Sequence, residues 1–349
     1  VTKAQVEEIA KTKLPDLNAA SLAANTGPFP QKVDELVSVW SELTTENVFH
    51  VETGVLVANA LRSALKLASG GFVRGGYVRS LVDTAPLRAL LTRVCRAGPD
   101  GRLPGIAANL ESGALHAIAI TAASYSTGQS FTFVQGREVA AWQRAHRRSV
   151  LADIDVEHVM ASSALPIFFP AIEIGGQWFG DGGMRLTAPL SPAVHLGARK
   201  IIAISTRYAR TRAEADVPVV DDYPPPAQVL GVLFNAIFLD QFDADALTLE
   251  RVNTLIAALP DERRTGLRPL RLLVLRPSRD LGKLANEHEP DLPRAFRFMT
   301  RGLGTRETRS NDMLSLVMFQ RDYIARLVEL GEKDGAARAD ELDRFLAGE

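Results

Sequence analysis

Asp181 stands in the stretch Gly175-Gly176-Gln177-Trp178-Phe179-Gly180-Asp181-Gly182-Gly183, an acidic residue held between glycines where a strand-like segment ends. A carboxylate so placed can reach into a site while the glycines let the backbone turn with φ > 0. In a Ser–Asp hydrolase such a carboxylate accepts a proton and orients a serine, without help from histidine. That serine must sit on a sharp strand-to-helix elbow between small residues. No Gly-x-Ser-x-Gly occurs anywhere in the 349 residues. Ser112 and the pair Ser162-Ser163 lack paired glycines and read as cap or turn residues. The plainer reading of Asp181 is a turn residue bonded to its own backbone. The six histidines (His50, His116, His146, His158, His195, His288) include no i, i+4 pair, so no metal site is indicated. Gly101–Gly105 lacks the Lys-Ser/Thr of a phosphate loop.

The elements that must position Asp181 can be read from pattern. Gly175-Gly176 turns a hairpin between Ala171–Ile174 and Gln177–Phe179. His116–Ala122 and Ser130–Val134 are strand-like about the turn Ser126-Thr127-Gly128, and Asp155–Ser162 is a short helix. Lys200–Ser205 is a continuous apolar run of the buried, parallel type and is expected inside the sheet, as is His116–Ala122. Upstream, Thr2-Lys3-Ala4-Gln5 opens one helix as a capping box, and Asp16 caps a second through Leu17–Ala24. Gln31–Glu42, Thr45–His50 and Pro86–Arg96 are helical, the last capped by Thr84; Ser69–Tyr77 is a Gly-rich loop. Thr211–Pro226 is a charged, proline-rich connection, followed by helices over Ala227–Leu239 and Ala244–Leu259 and a strand at Leu270–Leu275. Strands interleaved with helices give an α/β sheet sandwiched by helices.

Composition bounds the rest. With 46% hydrophobic and 23% charged residues this is an ordinary globular chain with material for a sizeable core. The net charge of −1 gives no support for nucleic acid or an anionic membrane as a bulk partner. Cys95 is the only cysteine, so no internal disulfide can form, which suits a reducing compartment. No apolar run approaches the ~18–20 residues of a membrane span, and no signal peptide is visible. Arg137, Arg144, His146, Arg147 and Arg148 form a basic run that reads as a solvated face, with a phospholipid-head contact as the alternative. Val232, Leu233, Ile237 and Phe238 form an apolar stripe that reads as core, membrane docking being the lesser alternative.

The Asp-Gly-Gly segment, together with Ala161-Ser162-Ser163-Ala164-Leu165-Pro166-Ile167-Phe168-Phe169-Pro170 before it and Ser191–Ser205 after it, strongly resembles the second half of a patatin-like acyl hydrolase. The resemblance is dense from about Leu17 to Ser205. It implies a three-layer α/β/α sheet, hydrolysis of phospholipid or acylglycerol esters through an acyl-serine, and no metal or organic cofactor. It places Asp181 as the dyad aspartate, with Gly182 and Gly183 as its supporting motif. After the nucleophile such proteins run Ala-Leu-Asn-Ala-Ala, and Leu17-Asn18-Ala19-Ala20 lies in that place. Counting back puts Lys13 where the serine would stand and Pro15 where the second glycine would stand. Glu7–Thr12 before them is a charged helix former rather than an apolar strand. Ser69–Tyr77 imitates the oxyanion loop Gly-Gly-Gly-x-Arg-Gly but follows the nucleophile region instead of preceding it.

Residues 1–22 also resemble the C-terminal tail of the large-subunit ribosomal stalk-base protein, over too short a stretch to carry RNA binding with it. The organisation expected is therefore a foreign helical segment at 1–24 and a patatin-like remnant at 25–210 whose N-terminal strands are missing. A Pro-rich connection at 211–226 and a helical extension with one added strand at 227–349 complete it. The functional expectation is a lipid acyl hydrolase by family whose chain here lacks its nucleophile and is inactive. The alternative is a non-catalytic remnant, either pseudoenzyme or lipid-binding module. Lipid or ester substrates, no nucleic acid, and a cytoplasmic location with peripheral membrane contact complete that expectation.

Overall fold

The computed structural model describes residues 14–50, 80–292 and 294–347. The capping box at Thr2, Lys13 and the loop Ser69–Tyr77 lie outside them.

Three helices lead. α1 (Pro15–Ala24) starts on a proline, whose missing N–H costs nothing in a first turn. It is followed by α2 (Phe29–Glu42) and the short α3 (Thr45–Val48). α4 (Ala85–Val94) and α5 (Pro104–Ser112) complete the helical face before the sheet. Asn18 accepts from the Trp40 indole at 2.9 Å, and Asn109 donates to the Ala23 and Asn25 carbonyls at 2.8 Å each, so buried amides tie α1 to α2 and α5. Where α5 begins, Gly105 lies against the Ala24 carbonyl so closely that a Cβ would fall 1.7 Å from its oxygen.

The strands β1 (Ala117–Ser124), β2 (Ser130–Gly136), β3 (Gln143–Arg144) and β4 (Arg147–Leu151) precede helix α6 (Val156–Ser162). The hairpin β5 (Ile172–Ile174) and β6 (Gln177–Asp181) then completes a six-stranded sheet in the order β3-β4-β2-β1-β6-β5. Only β2 and β4 pair in parallel; every other neighbour in that sheet is antiparallel. β1 is interior, as its sequence suggests, and its Thr121 hydroxyl meets that of Thr132 across the ladder at 3.2 Å. Asp155 caps α6 by accepting from the His158 N–H at 3.0 Å.

The second apolar strand departs from expectation. After α7 (Ser191–His195), β7 (Lys200–Ile204) does not join the large sheet. Beyond α8 (Arg212–Ala215), the helices α9 (Pro226–Phe238) and α10 (Asp240–Ala258) intervene before β8 (Arg271–Leu275), with which β7 forms a separate parallel pair. β7 is interior neither in pairing nor on both faces: Ile201 and Ala203 are buried, Ile202 is half-buried, and Lys200 and Ile204 are exposed. Ile201 and Ala203 pack toward Phe242, Ala246 and Leu249 of α10. On the opposite face Ile202 meets Leu273, Leu275, Leu342 and Phe345.

The C-terminal part is helical: α11 (Leu281–His288), α12 (Arg294–Gly302), α13 (Asp312–Val317), α14 (Arg321–Ala337) and α15 (Ala339–Ala347). Tyr323, Phe319 and Leu314 share one buried cluster with Leu17, Ile120 and Phe179, so the extension and the sheet bury a common core. The whole is a mixed α/β fold with a central sheet and a helical C-terminal extension.

Candidate functional site

Asp181 is the last residue of β6 and enters a single 3-10 turn, Gly182–Arg185. Its backbone N–H donates to the Ala164 carbonyl at 3.0 Å, and its Oδ1 accepts from the Gly183 N–H at 2.8 Å. The register with β1 sets Asp181 opposite Ala122. Two unrelated requirements explain the glycines. Gly175 and Gly176 have φ of +56° and +75°, the left-handed region in which a Cβ is strained. Gly182 and Gly183 do not share that region. A Cβ on Gly182 would lie 2.0 Å from the Thr121 carbonyl oxygen, and one on Gly183 would lie 2.3 Å from the Phe238 ring. The expectation of positive φ thus holds at the hairpin and fails at the Asp-Gly-Gly motif, where close approach is the reason.

The carboxylate facing Asp181 was not foreseen. Asp16 does not cap α1: the residue before the helix is Leu14, no side chain caps it, and Asp16 sits inside the first turn. Its carboxyl turns inward to hydrogen-bond Ser162 at the end of α6. The Ser162 hydroxyl donates to the Thr121 carbonyl at 2.6 Å, on the same oxygen that Gly182 presses. One hydroxyl proton cannot serve two acceptors. With it committed to Thr121, the bond between Asp16 and Ser162 is best made by a protonated Asp16 donating.

Electrostatics weighs the Ser162 bond the other way, toward the ionised carboxyl, yet burial outweighs it. Burial, opposed by the Ser162 bond and by Asp16's own N–H, raises the Asp16 carboxyl to about 6. Burial raises Asp181 to about 7, with the Gly183 N–H opposing and the charge of Asp16 adding to the rise. Two half-buried acids without a cationic partner among the described residues stay partly protonated near neutrality. Tyr125 borders the site: its ring lies over Gly180, and burial together with the Asp181 charge raises its phenol.

Other candidates fall elsewhere. Ser112 is the last residue of α5 and bonds back to the Asn109 carbonyl. Ser163 is buried, and its hydroxyl has no partner among the described residues. Cys95 is buried, which raises its thiol to about 12 and leaves it inert. Lys13, at the place counted for the serine, lies outside the described residues. Asp16, Ser162, Thr121 and Tyr125 were missed because each matters through tertiary neighbours. The only linear hint is that Asp16 immediately precedes Leu17-Asn18-Ala19-Ala20, the segment that starts the helix beside the site.

What this arrangement can do by itself is hold a proton on either of two carboxyls near the end of β1. It can accept a proton from a hydroxyl brought to Asp181. Among known families, the model of the patatin-like phospholipase family matches residues 17–194, just over half of the chain. The matched stretch opens on α1 and includes the whole Asp181 turn.

Proposed function

Since the chain belongs to the patatin-like phospholipase family, whose members act on lipid or ester substrates, we propose that Asp181 is the aspartate of a Ser–Asp acyl-hydrolase site. We propose further that this chain carries that site without its serine. One observation supports the placement above others. Helix α1, which carries Leu17-Asn18-Ala19-Ala20, presents its first turn to the Asp181 loop, with the charge of Asp16 felt at Asp181. That is the relation a nucleophile-bearing helix start needs with its base.

The acyl-transfer step requires a hydroxyl at the residue counted as Lys13 and a backbone N–H two residues on. Lysine cannot form an acyl-serine ester, and Pro15 has no N–H to offer an oxyanion. The family's chemistry is therefore lipid acyl hydrolysis, and this chain's own turnover of esters is nil. Loss of the nucleophile from such a unit removes nearly all of the acceleration.

The test is direct. A fluorophosphonate serine probe should leave the purified chain unlabelled, and p-nitrophenyl ester hydrolysis should match buffer, in wild type and in Asp181→Asn alike. Stoichiometric labelling that vanishes in Asp181→Asn would show a working serine beside Asp181 and end the claim of inactivity. Labelling that persists in Asp181→Asn would remove Asp181 from the chemistry.

A further inference from the structure

Two surface runs stand out in the sequence. The apolar one, read as core, is exposed at Val232 and Leu233. The basic one divides. Arg137 donates to the Leu110 carbonyl at 3.3 Å, and the Arg148 guanidinium lies 4.1 Å from the centre of the Phe131 ring. Arg144 and Arg147 remain, and they stand directly opposite each other across the β3–β4 ladder. Like charges so opposed destabilise a strand pair. Arg96, Arg207, Arg210, Arg276 and Arg309 each hold a carboxylate. Arg144 instead donates to the neighbouring Gln143 carbonyl at 2.9 Å, and among the described residues neither it nor Arg147 is ion-paired.

The charge of this pair converges on a cleft. Trp142, just before β3, exchanges backbone bonds with Ser149, donating to its Oγ at 2.7 Å and accepting from its N–H at 2.9 Å. Trp142 and Arg144 are two residues apart and Arg147 faces Arg144, so the three share one side of the ladder. On that side α7 lays the His195 ring flat against the indole. Both arginine charges reach His195, where they add to burial, the larger cause, in lowering its pKa. Trp142, His195, His116, Glu138 and the apolar run Val139–Ala141 line an open cleft of about 420 Å³. That is the size of a small-molecule site. Glu138 is ion-paired with neither arginine among the described residues, so the excess positive charge beside the cleft stands.

We propose that this cleft binds a small soluble phosphomonoester whose organic part is flat or apolar, with its phosphate held by Arg144 and Arg147 at the His195 end. Two facing cations call for a ligand of matching charge, and a phosphomonoester carries about −1.5 to −2 at pH 7. Its three oxygens accept from two guanidinium forks at once, which turns a repulsive cross-strand pair into a clamp. A bare inorganic anion would meet the arginines and leave the aromatic and apolar lining unused. The strands β4, β2 and β1 separate β3 from β6, so this site is distinct from the Asp181 turn and does not rest on the acyl-hydrolase reading.

Phenyl phosphate titrated into the whole chain at neutral pH, with the His195 imidazole signal followed by NMR, tests this. A saturable shift is expected, with inorganic phosphate binding roughly tenfold more weakly or worse. Arg144→Gln with Arg147→Gln should weaken phenyl phosphate by roughly tenfold or more, and removing the like-charge pair should not lower the melting temperature. Benzoate, with the same ring and a single charge, should bind more weakly than phenyl phosphate. Phenyl phosphate no better than inorganic phosphate would mean an adventitious ion only. Affinity that survives loss of both arginines would remove the clamp. Binding of anionic phospholipid vesicles without binding of phenyl phosphate would give the arginines to a head group at a membrane and overturn the proposal. None of these readouts involves turnover, so the outcome is independent of the serine-probe experiment.

Discussion

The two ends of the six-stranded sheet each gather charge of one sign, and they resolve it in opposite ways. At the β6 end, Asp16 and Asp181 are withdrawn from water with no cation among the described residues facing them, and they rise to about 6 and about 7. At the β3 end, Arg144 and Arg147 stand near His195, which stacks on Trp142 with centroids 4.7 Å apart and planes at 13°. There the histidine gives way: burial first, then the two guanidinium charges, lowers its pKa. The acidic end binds protons to become neutral, and the basic end releases one. The open cleft of about 420 Å³ between His116, Trp142 and His195 belongs to the second kind. Burial, rather than the number of like charges, separates a site that stores a proton from a surface that sheds one.

The acidic end depends on contact between β6 and β1, and that contact is the easiest part to break. Gly182→Ala must push a Cβ into the Thr121 carbonyl, which also holds Ser162 and through it Asp16. A loss of ~3 kcal/mol or more is expected, read as a fall in the urea midpoint with unchanged slope. Gly176→Ala, with nothing within 4 Å and only its φ of +75° to strain, should cost about 1 kcal/mol. Equal losses in the two variants would mean that backbone conformation, not close approach, governs both glycine pairs.

The proton store predicts a pH dependence whose sign can be worked out. A carboxyl raised in the folded state favours folding when protonated. Its contribution is full below the unfolded value near 4 and is lost as pH rises through about 6 for Asp16 and about 7 for Asp181. Asparagine does not titrate, and Asn at position 16 could still donate to Ser162. Asp16→Asn and Asp181→Asn should each be more stable than wild type at pH 8, on the order of 1 kcal/mol given their residual solvent contact. The gain should shrink toward pH 5. A stability difference that grows on acidification would mean that the pair is ionised in the fold.

Much of the sheet could be read in advance, because alternation and turn chemistry are local. The hairpin at Gly175-Gly176, the β1–β2 pair, the capped helix at Asp155 and the helix at Phe29–Glu42 all follow from patterns a few residues long. Lys200–Ile204 shows the limit. A continuous apolar run reports that both faces of a strand are covered, but only the Ile201–Ala203 face is, by α10; on the other face Ile202 is half-buried under Leu342 and Phe345 of α15, and Ile204 is exposed. It says nothing about how many strands flank it, and among the described residues β7 has one. Asp16 shows a second limit. In sequence an Asp after Pro at a helix start is a cap, and only the arrival of Ser162 from 146 residues away turns it inward. Val232 and Leu233 show a third, since periodicity identifies an apolar face without saying what medium it meets.

The smallest expected effect concerns the basic end and tests whether burial also leads there. His195 has a lowered pKa, so its neutral form favours the fold, and its contribution is present above the unfolded value near 6.5 and lost as pH falls through the folded one. That is opposite in sign to the aspartate pair: acidification from pH 8 to pH 5 strengthens one end of the sheet and weakens the other. Burial is the larger cause of the shift at His195 and the arginine charges the smaller. Trp142→Ala, which strips the stacked ring from the imidazole, should therefore raise the pKa seen in an NMR titration more than Arg144→Gln with Arg147→Gln does. High salt should reproduce the arginine effect but not the tryptophan effect, since screening acts on exposed charge and leaves desolvation in place. If removal of the arginines alone returned His195 to an ordinary value, like-charge repulsion would be the governing term at this end, and the contrast between the two ends would be one of charge rather than burial.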